Sequence, residues 1–349
     1  MTRKLTALLL VLIIPAMLLL PGCDPKSAVT LSVLTWADYF DDAALEEFEK
    51  ETGIRIEQTY YMETTEEAID KLSSVDTARY DVVMLSDYVV EMCRKNDLIQ
   101  KLNLDLLSNY SNVDGGYQSK FYDPDNEYTV PFLAGAPILV YNSEKTAKEI
   151  TSYADLFDSG LKGKVVAMDD YRVLPGMVLM SMGQSMNTTD KTVLAKLKTK
   201  MLELKPNILA LDSQNPQDKL ISGEATVGIL FNSQVSAIIR DHQNFKAVYP
   251  KEGVGFGIDS FSVAKQSKQV EAAHQFINFC LQGERSAQNS EFNGYTNCNT
   301  AAGPFFSQAY LNDKAINIPD ALLTKAEFLR TLDNDVNKEY LDIWTAFKQ

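Results

Sequence analysis

Acidic and aromatic residues, or the polar residues that often accompany them, cluster in four short segments: Thr35-Trp36-Ala37-Asp38-Tyr39, Ser86-Asp87-Tyr88, Met168-Asp169-Asp170 and Phe231-Asn232-Ser233. Each follows a short apolar run that reads as a β-strand. Open α/β sheets hold ligands at the carboxyl ends of their strands, so these segments are the candidate binding positions. Singly, each has an ordinary structural account: Trp36 as core, Asp38 as a helix cap, Asp169-Asp170 as a solvated turn. Carboxylates can also act as general acid and base, but nothing in their spacing pairs them. The catalytic signatures GxSxG, HExxH and GxxxxGK[ST] are missing from the sequence. Gly253, Gly255 and Gly257 alternate, yet they precede a strand, which is the wrong context for a dinucleotide loop. His242 lies in a polar segment and His274 in what reads as a surface helix. With Cys93, Cys280 and Cys298 they form no close ligand pair, so no metal, redox centre or other cofactor is expected. The expectation is binding, not catalysis.

The elements that must position these residues alternate between strand and helix. Leu31–Leu34 reads as a strand, and Asp41-Asp42 can cap a helix in which Ala44, Leu45 and Phe48 recur at helical spacing until Gly53. Ile54–Glu57 alternates as a strand, Thr65–Leu72 is amphipathic, and Tyr80–Leu85 is nearly continuous in apolar residues, as a buried parallel strand should be. This rhythm argues for α/β units. The run Val130–Tyr141, punctuated by Gly135 and Pro137, reads as a chain leaving one sheet for another. A second series follows: strands at Lys164–Met168, Ala225–Phe231 and Ile258–Ala264, and helices at Pro175–Met182, Asp190–Glu203 and Gln269–Leu281.

Length and composition fit two globular domains: 349 residues, 45% apolar and 23% charged. The formal charge of −14 disfavours nucleic acid and anionic membrane surfaces and weakly favours small cations. Arg3 and Lys4 precede the apolar run Leu5–Leu20, which ends in Leu20-Pro21-Gly22-Cys23. That arrangement is a processing signal, and the cysteine after it resembles the lipobox of bacterial lipoproteins. The resemblance implies cleavage after residue 22, lipidation of Cys23, and an anchored domain that stays in water. Cys93 and Cys280 read as buried small hydrophobes; a disulfide between Cys280 and Cys298 is permitted by the compartment without being specified by the sequence.

Several stretches carry a more specific resemblance: Leu34–Tyr39, Glu47–Ile54, Tyr80–Val83, Asn187–Asp190, Asn215-Pro216, Tyr249–Gly253, Ile258–Ser260, Phe276–Phe279 and Gly294-Tyr295. Together they make the chain similar to the spermidine/putrescine-binding proteins of bacterial ABC transporters, over essentially the whole mature length. The segments Trp36-Ala37-Asp38-Tyr39, Pro250-Lys251-Glu252-Gly253 with Asp259-Ser260, and Gly294-Tyr295 are the specific part. The resemblance implies an α/β, two-lobed, type II periplasmic-binding-protein fold with a ligand cleft between lobes. Lobe one would be residues 28–135 and 259–303, and lobe two residues 136–258 and 304–349. It implies ligand contacts from Trp36, Asp38, Tyr39, Ser86 and Tyr88 in the first lobe and Asp170 and Phe231 in the second. Asp259 stands at the position of the amine-binding aspartate, Tyr295 at that of a ligand-contacting tyrosine, and Asp333 where glutamine is common. The implied partners are putrescine or spermidine, a membrane-embedded ABC permease and a cytoplasmic ATPase.

The chemistry of such a ligand suits those residues. Each ammonium that leaves water needs a carboxylate or other acceptor. The methylenes need flat apolar walls, and aromatic rings supply them while attracting the cations by about 0.5–2 kcal/mol per contact. Three departures bear on the choice of polyamine: Val173 stands where spermidine binders carry a glutamate, Phe231 replaces a tryptophan, and Gly257 stands near another expected tryptophan. A smaller box with one acid moved would favour putrescine, with Asp333 a candidate to compensate. The alternatives are a binding protein for another solute, an enzyme on the same fold, and an adhesion or sensory lipoprotein.

Overall fold

The computed structural model describes residues 29–61, 67–74 and 79–349; the leader, Cys23 and the start of the amphipathic segment at Thr65 lie outside them. Strands β1 (Thr30–Thr35), β2 (Arg55–Tyr60) and β3 (Val82–Ser86) are parallel, with β1 between the other two. Their side chains alternate between the two faces of the sheet. Leu31, Val33, Val82 and Met84 pack with Phe48, Phe276 and Ile277 on one face. Leu34, Val83 and Leu85 pack with Ala68, Val89, Val90 and Cys93 on the other. Covering both faces is what makes β3 read as an unbroken apolar run.

Strand β4 (Ile99–Gln100) is short, and β5 (Val130–Gly135) and β6 (Pro137–Asn142) lie in different sheets with only Ala136 between them. The expected change of sheet occurs there. Ala136 is held on both sides of its peptide: its amide donates to Asn232 Oδ1 at 3.3 Å, and its carbonyl accepts from the Asn232 amide at 3.0 Å. The second sheet is completed by β7 (Val165–Ala167), β8 (Ile208–Leu211), β9 (Val227–Phe231) and β10 (Phe245–Val248), in the order β10-β6-β9-β7-β8. Strand β11 (Gly257–Ala264) returns to the first sheet and β12 (Thr296–Asn297) finishes it, in the order β12-β5-β11-β3-β1-β2 with β4 beside β11. Two α/β lobes joined by crossing strands result. The returning strands run antiparallel to their neighbours, so both sheets are mixed. An apolar cluster of Ala134, Ala136, Ile138, Val140, Phe256 and Ile258 fills the junction.

Local signals hold at the helix ends. Asp41 accepts the Ala43 amide at 3.1 Å before helix Asp42–Thr52, and Gly53 closes that helix at a left-handed φ of 72°. Asp190 caps helix Lys191–Leu204 through the Thr192 and Val193 amides. His274 is a correction. It was expected on a surface helix, but helix Val270–Cys280 is buried on most sides and His274 is 0% exposed. Its Nε2 accepts the Asn103 amide at 2.9 Å, which leaves Nδ1 as the donor to the Val270 carbonyl at 2.7 Å. Cys93, Cys280 and Cys298 are buried free thiols. Among the described residues no helix is long and apolar enough to cross a membrane.

Candidate functional site

A cavity of about 420 Å³ opens between the two sheets, lined by residues from the carboxyl ends of β1, β3, β7, β8 and β9 and by the amino-terminal half of β11. Trp36 and Tyr39 reach it from the turn after β1, with ring centroids 5.1 Å apart and planes inclined by 42°. Phe231 and Tyr295 meet edge to face from opposite lobes at 6.5 Å. Gly135 makes room for Tyr295: a Cβ at that position would stand 2.6 Å from Cε1 of the ring.

The acidic groups sit among these rings. Tyr39 Oη donates to Asp259 Oδ2 at 3.0 Å. Burial pushes the Asp259 carboxyl up to about 7, against the lowering effect of the Tyr39 hydrogen bond. Burial also raises the Tyr39 hydroxyl far above its usual range, helped by the adjacent Asp259 charge. Asp87 is 5% exposed, lines the cavity, and accepts the Ile258 amide on Oδ1 at 3.0 Å. Burial holds its carboxyl well above the carboxylate range, the Ile258 amide opposes this, and the Asp259 charge adds to it. Across the cavity, Asp170 Oδ1 accepts the amides of Arg172 at 2.7 Å and Val173 at 2.8 Å, so it starts helix Val173–Ser181 while lining the cavity. Asp169 also lines it and pairs with Lys348 Nζ at 2.9 Å.

Of the positions expected from the sequence, the structure brings Trp36, Tyr39, Ser86, Tyr88, Asp170, Phe231, Asp259 and Tyr295 to one cavity. It does not bring Asp38 or Asp333 there. Asp38 adopts a left-handed φ of 54°, which Asp tolerates better than most residues. That turn sits between two lining residues, Ala37 and Tyr39, and leaves Asp38 exposed. Asp333 is an exposed N-cap residue of helix Asn334–Lys348, and Leu329 lines the cavity on that stretch of chain instead. Val173 and Gly257 both line the cavity. Asp87 belongs to a candidate segment but is not among the contacts the resemblance implies, and Gln234 and Asn293 are not anticipated at all. Asp87 was findable, because it stands at the carboxyl end of β3 like its neighbours. Among the described residues no group of three or more His, Cys, Asp and Glu side chains is placed to hold a metal ion.

Two lobes joined by crossing strands, with a cavity lined from both, define a two-lobed solute-binding protein. The chain belongs to the family of bacterial extracellular solute-binding proteins, which it matches over residues 43–317. It is 34% identical over 293 residues to the spermidine/putrescine-binding periplasmic protein of Escherichia coli, covering 84% of each chain. It is 28% identical to a putrescine/cadaverine-binding protein of Pseudomonas aeruginosa, over 97% of this chain and 98% of that one. The crystal structure of a spermidine/putrescine ABC transporter substrate-binding protein from Streptococcus pneumoniae superposes with a TM-score of 0.82 at 26% identity. That alignment covers 92% of this chain and 98% of the other. The family is one of solute capture, not of catalysis.

Proposed function

We propose that this protein captures a polyamine, putrescine or spermidine, outside the cytoplasmic membrane and delivers it to an ABC importer made of a membrane permease and a cytoplasmic ATPase. The observation that carries the reading is Asp259, a carboxylate that among the described residues is held by one neutral donor, inside a cavity walled by Trp36, Tyr39, Phe231 and Tyr295. A buried carboxylate lacking a cation is costly, and an ammonium that arrives with the ligand removes that cost. The rings then cover the methylenes and attract the cations. The cavity volume falls within the range of about 300–1,000 Å³ usual for small-molecule sites. A neutral sugar would leave the carboxylates unpaired, and an anion would be repelled by them. The relatives that bind spermidine, putrescine and cadaverine support the same chemistry.

Trp36, Tyr39, Ser86, Tyr88 and Asp259 contact the ligand from one lobe, Asp170 and Phe231 from the other, and Tyr295 beside the crossing strands. The lobes, residues 28–135 with 259–303 and residues 136–258 with 304–349, close over it. Lipidated Cys23 anchors the domain at the membrane face. Calorimetric titration with putrescine, cadaverine, spermidine and spermine tests the reading. Saturable binding of at least one polyamine and none of a neutral sugar is expected; no heat and no thermal shift with any polyamine overturns it.

A further inference from the structure

Asp87 is the first residue of helix Asp87–Lys95, where an acidic side chain usually does no more than favour the helix dipole. Its surroundings ask more of it. Its backbone holds a φ of +29°, a strained conformation for a residue with a Cβ. Its Oδ1 is turned to the Ile258 amide of β11 at 3.0 Å. Beside it, a Cβ at Gly257 would stand in ordinary contact with Asp87 Oδ2 at 3.5 Å, so that oxygen lies against β11 at Gly257. Asp259 follows Gly257 by two residues and therefore projects from the same face of β11. The carboxylate that opens the helix after β3 and the one on β11 thus adjoin on one wall of the cavity.

The charged and titratable groups facing Asp87 are Asp259 on β11, Tyr122 and Arg330. Arg330 is the one cation of the three, and its guanidinium lies 3.5 Å over the Phe121 ring. Asp87 forms no ion pair among the described residues. A strained, buried acid lining a binding cavity, with its amide partner on the neighbouring strand and no cation of its own, is built to receive a cation from outside.

We propose that Asp87 is a second ammonium-binding carboxylate of this cleft, and that Asp87 and Asp259 together take a charged end of the ligand from one lobe. This rests on the polyamine reading above and adds to it a specificity-determining residue. Burial raises both carboxyls in the empty cleft, and an ammonium between them favours their ionised forms, so binding releases protons.

Asp87→Asn removes the charge and keeps an oxygen for the Ile258 amide; Asp87→Gly, the second variant, removes the carboxyl and accepts the positive φ without strain. The test is calorimetry on the full-length protein in detergent, with putrescine and spermidine at neutral pH in two buffers of different ionisation enthalpy. The expected result is binding weakened by at least about tenfold in both variants, with fewer protons released; Asp87→Asn should melt at or above the temperature of the unsubstituted protein. Affinity within about threefold, with unchanged proton release in either folded variant, overturns the role of Asp87 and leaves the polyamine reading standing. If the unsubstituted protein binds neither polyamine, both fall.

Discussion

Tyr39 Oη donates to Asp259 Oδ2 across 3.0 Å, joining the turn after β1 to the first half of β11 over 220 residues of sequence. The bond orients the carboxylate with a neutral donor and brings no charge to balance it. Its position among the rings of the cavity is what turns a buried acid into a cation receptor.

Replacing Asp259 with Ala should weaken polyamine binding by about 2–5 kcal/mol, because the ligand ammonium is left buried without its carboxylate. The fold should persist, since Tyr39 loses one hydrogen-bond acceptor and no ion pair among the described residues is broken. Calorimetry and circular dichroism check this; affinity within about threefold of the unsubstituted protein would contradict the assignment.

The pH dependence follows from the same carboxyl. Its folded-state value of about 7 lies above that of the unfolded chain. Between roughly pH 4 and 7 the folded protein therefore binds more protons than the unfolded chain, and stability falls as pH rises through that window. The slope from this group is at most about 1.4 kcal/mol per pH unit. Polyamine affinity moves the other way and strengthens toward pH 7 as the carboxyl ionises while the amines stay charged. Thermal melts of the empty protein and titrations at several pH values measure both, and Asp259→Asn should flatten both trends.

Gly135→Ala tests the packing of the wall. The added Cβ meets Cε1 of Tyr295 at 2.6 Å and Cδ1 at 2.7 Å, so the ring must leave its place beside Phe231. A stability loss of about 1–3 kcal/mol is expected from this overpacking, together with weaker ligand binding. Denaturant unfolding and calorimetry read the two effects separately. An unchanged affinity would show that Tyr295 does not shape the ligand site.

Asp38→Ala and Asp333→Ala should leave polyamine affinity nearly unchanged; Asp333→Ala should alter stability by no more than about 0.5 kcal/mol, as exposed substitutions do, while Asp38→Ala should cost about 1 kcal/mol because Ala tolerates the left-handed φ of 54° less well. Neither side chain lines the cavity, and Asp333 makes no side-chain capping bond. A large loss of binding in either variant would place that residue at the ligand after all.

His274→Ala should destabilise the protein by about 1–3 kcal/mol without changing binding, because it removes a fully buried ring together with its bonds to the Asn103 amide and the Val270 carbonyl. Chemical denaturation gives the stability and titration the affinity.

Much of this molecule is legible locally. Asp41, Gly53 and Asp190 mark helix ends through bonds and dihedrals that involve only a few neighbouring residues. The apolar run of β3 reports a strand covered on both faces, and Gly135-Ala136-Pro137 marks the passage between sheets. The same short-range reading fails for His274, whose two bonds include one to a residue 171 positions away.

The cleft shows the same division. Strand ends followed by acids and rings announce that a ligand site exists, since alternation and sheet architecture fix where those ends emerge. Which acids turn inward is another matter: a left-handed residue leaves Asp38 in water, while the pairing of β11 with β3 brings Asp87 and Asp259 onto one wall. The sequence by itself determined the elements, the change of sheet and the class of side chain at each strand end, because those depend on periodicity and local bonding. Only the tertiary structure decided which carboxylates share a cavity, because that depends on strand pairing between residues far apart in the chain and on the desolvation the pairing imposes.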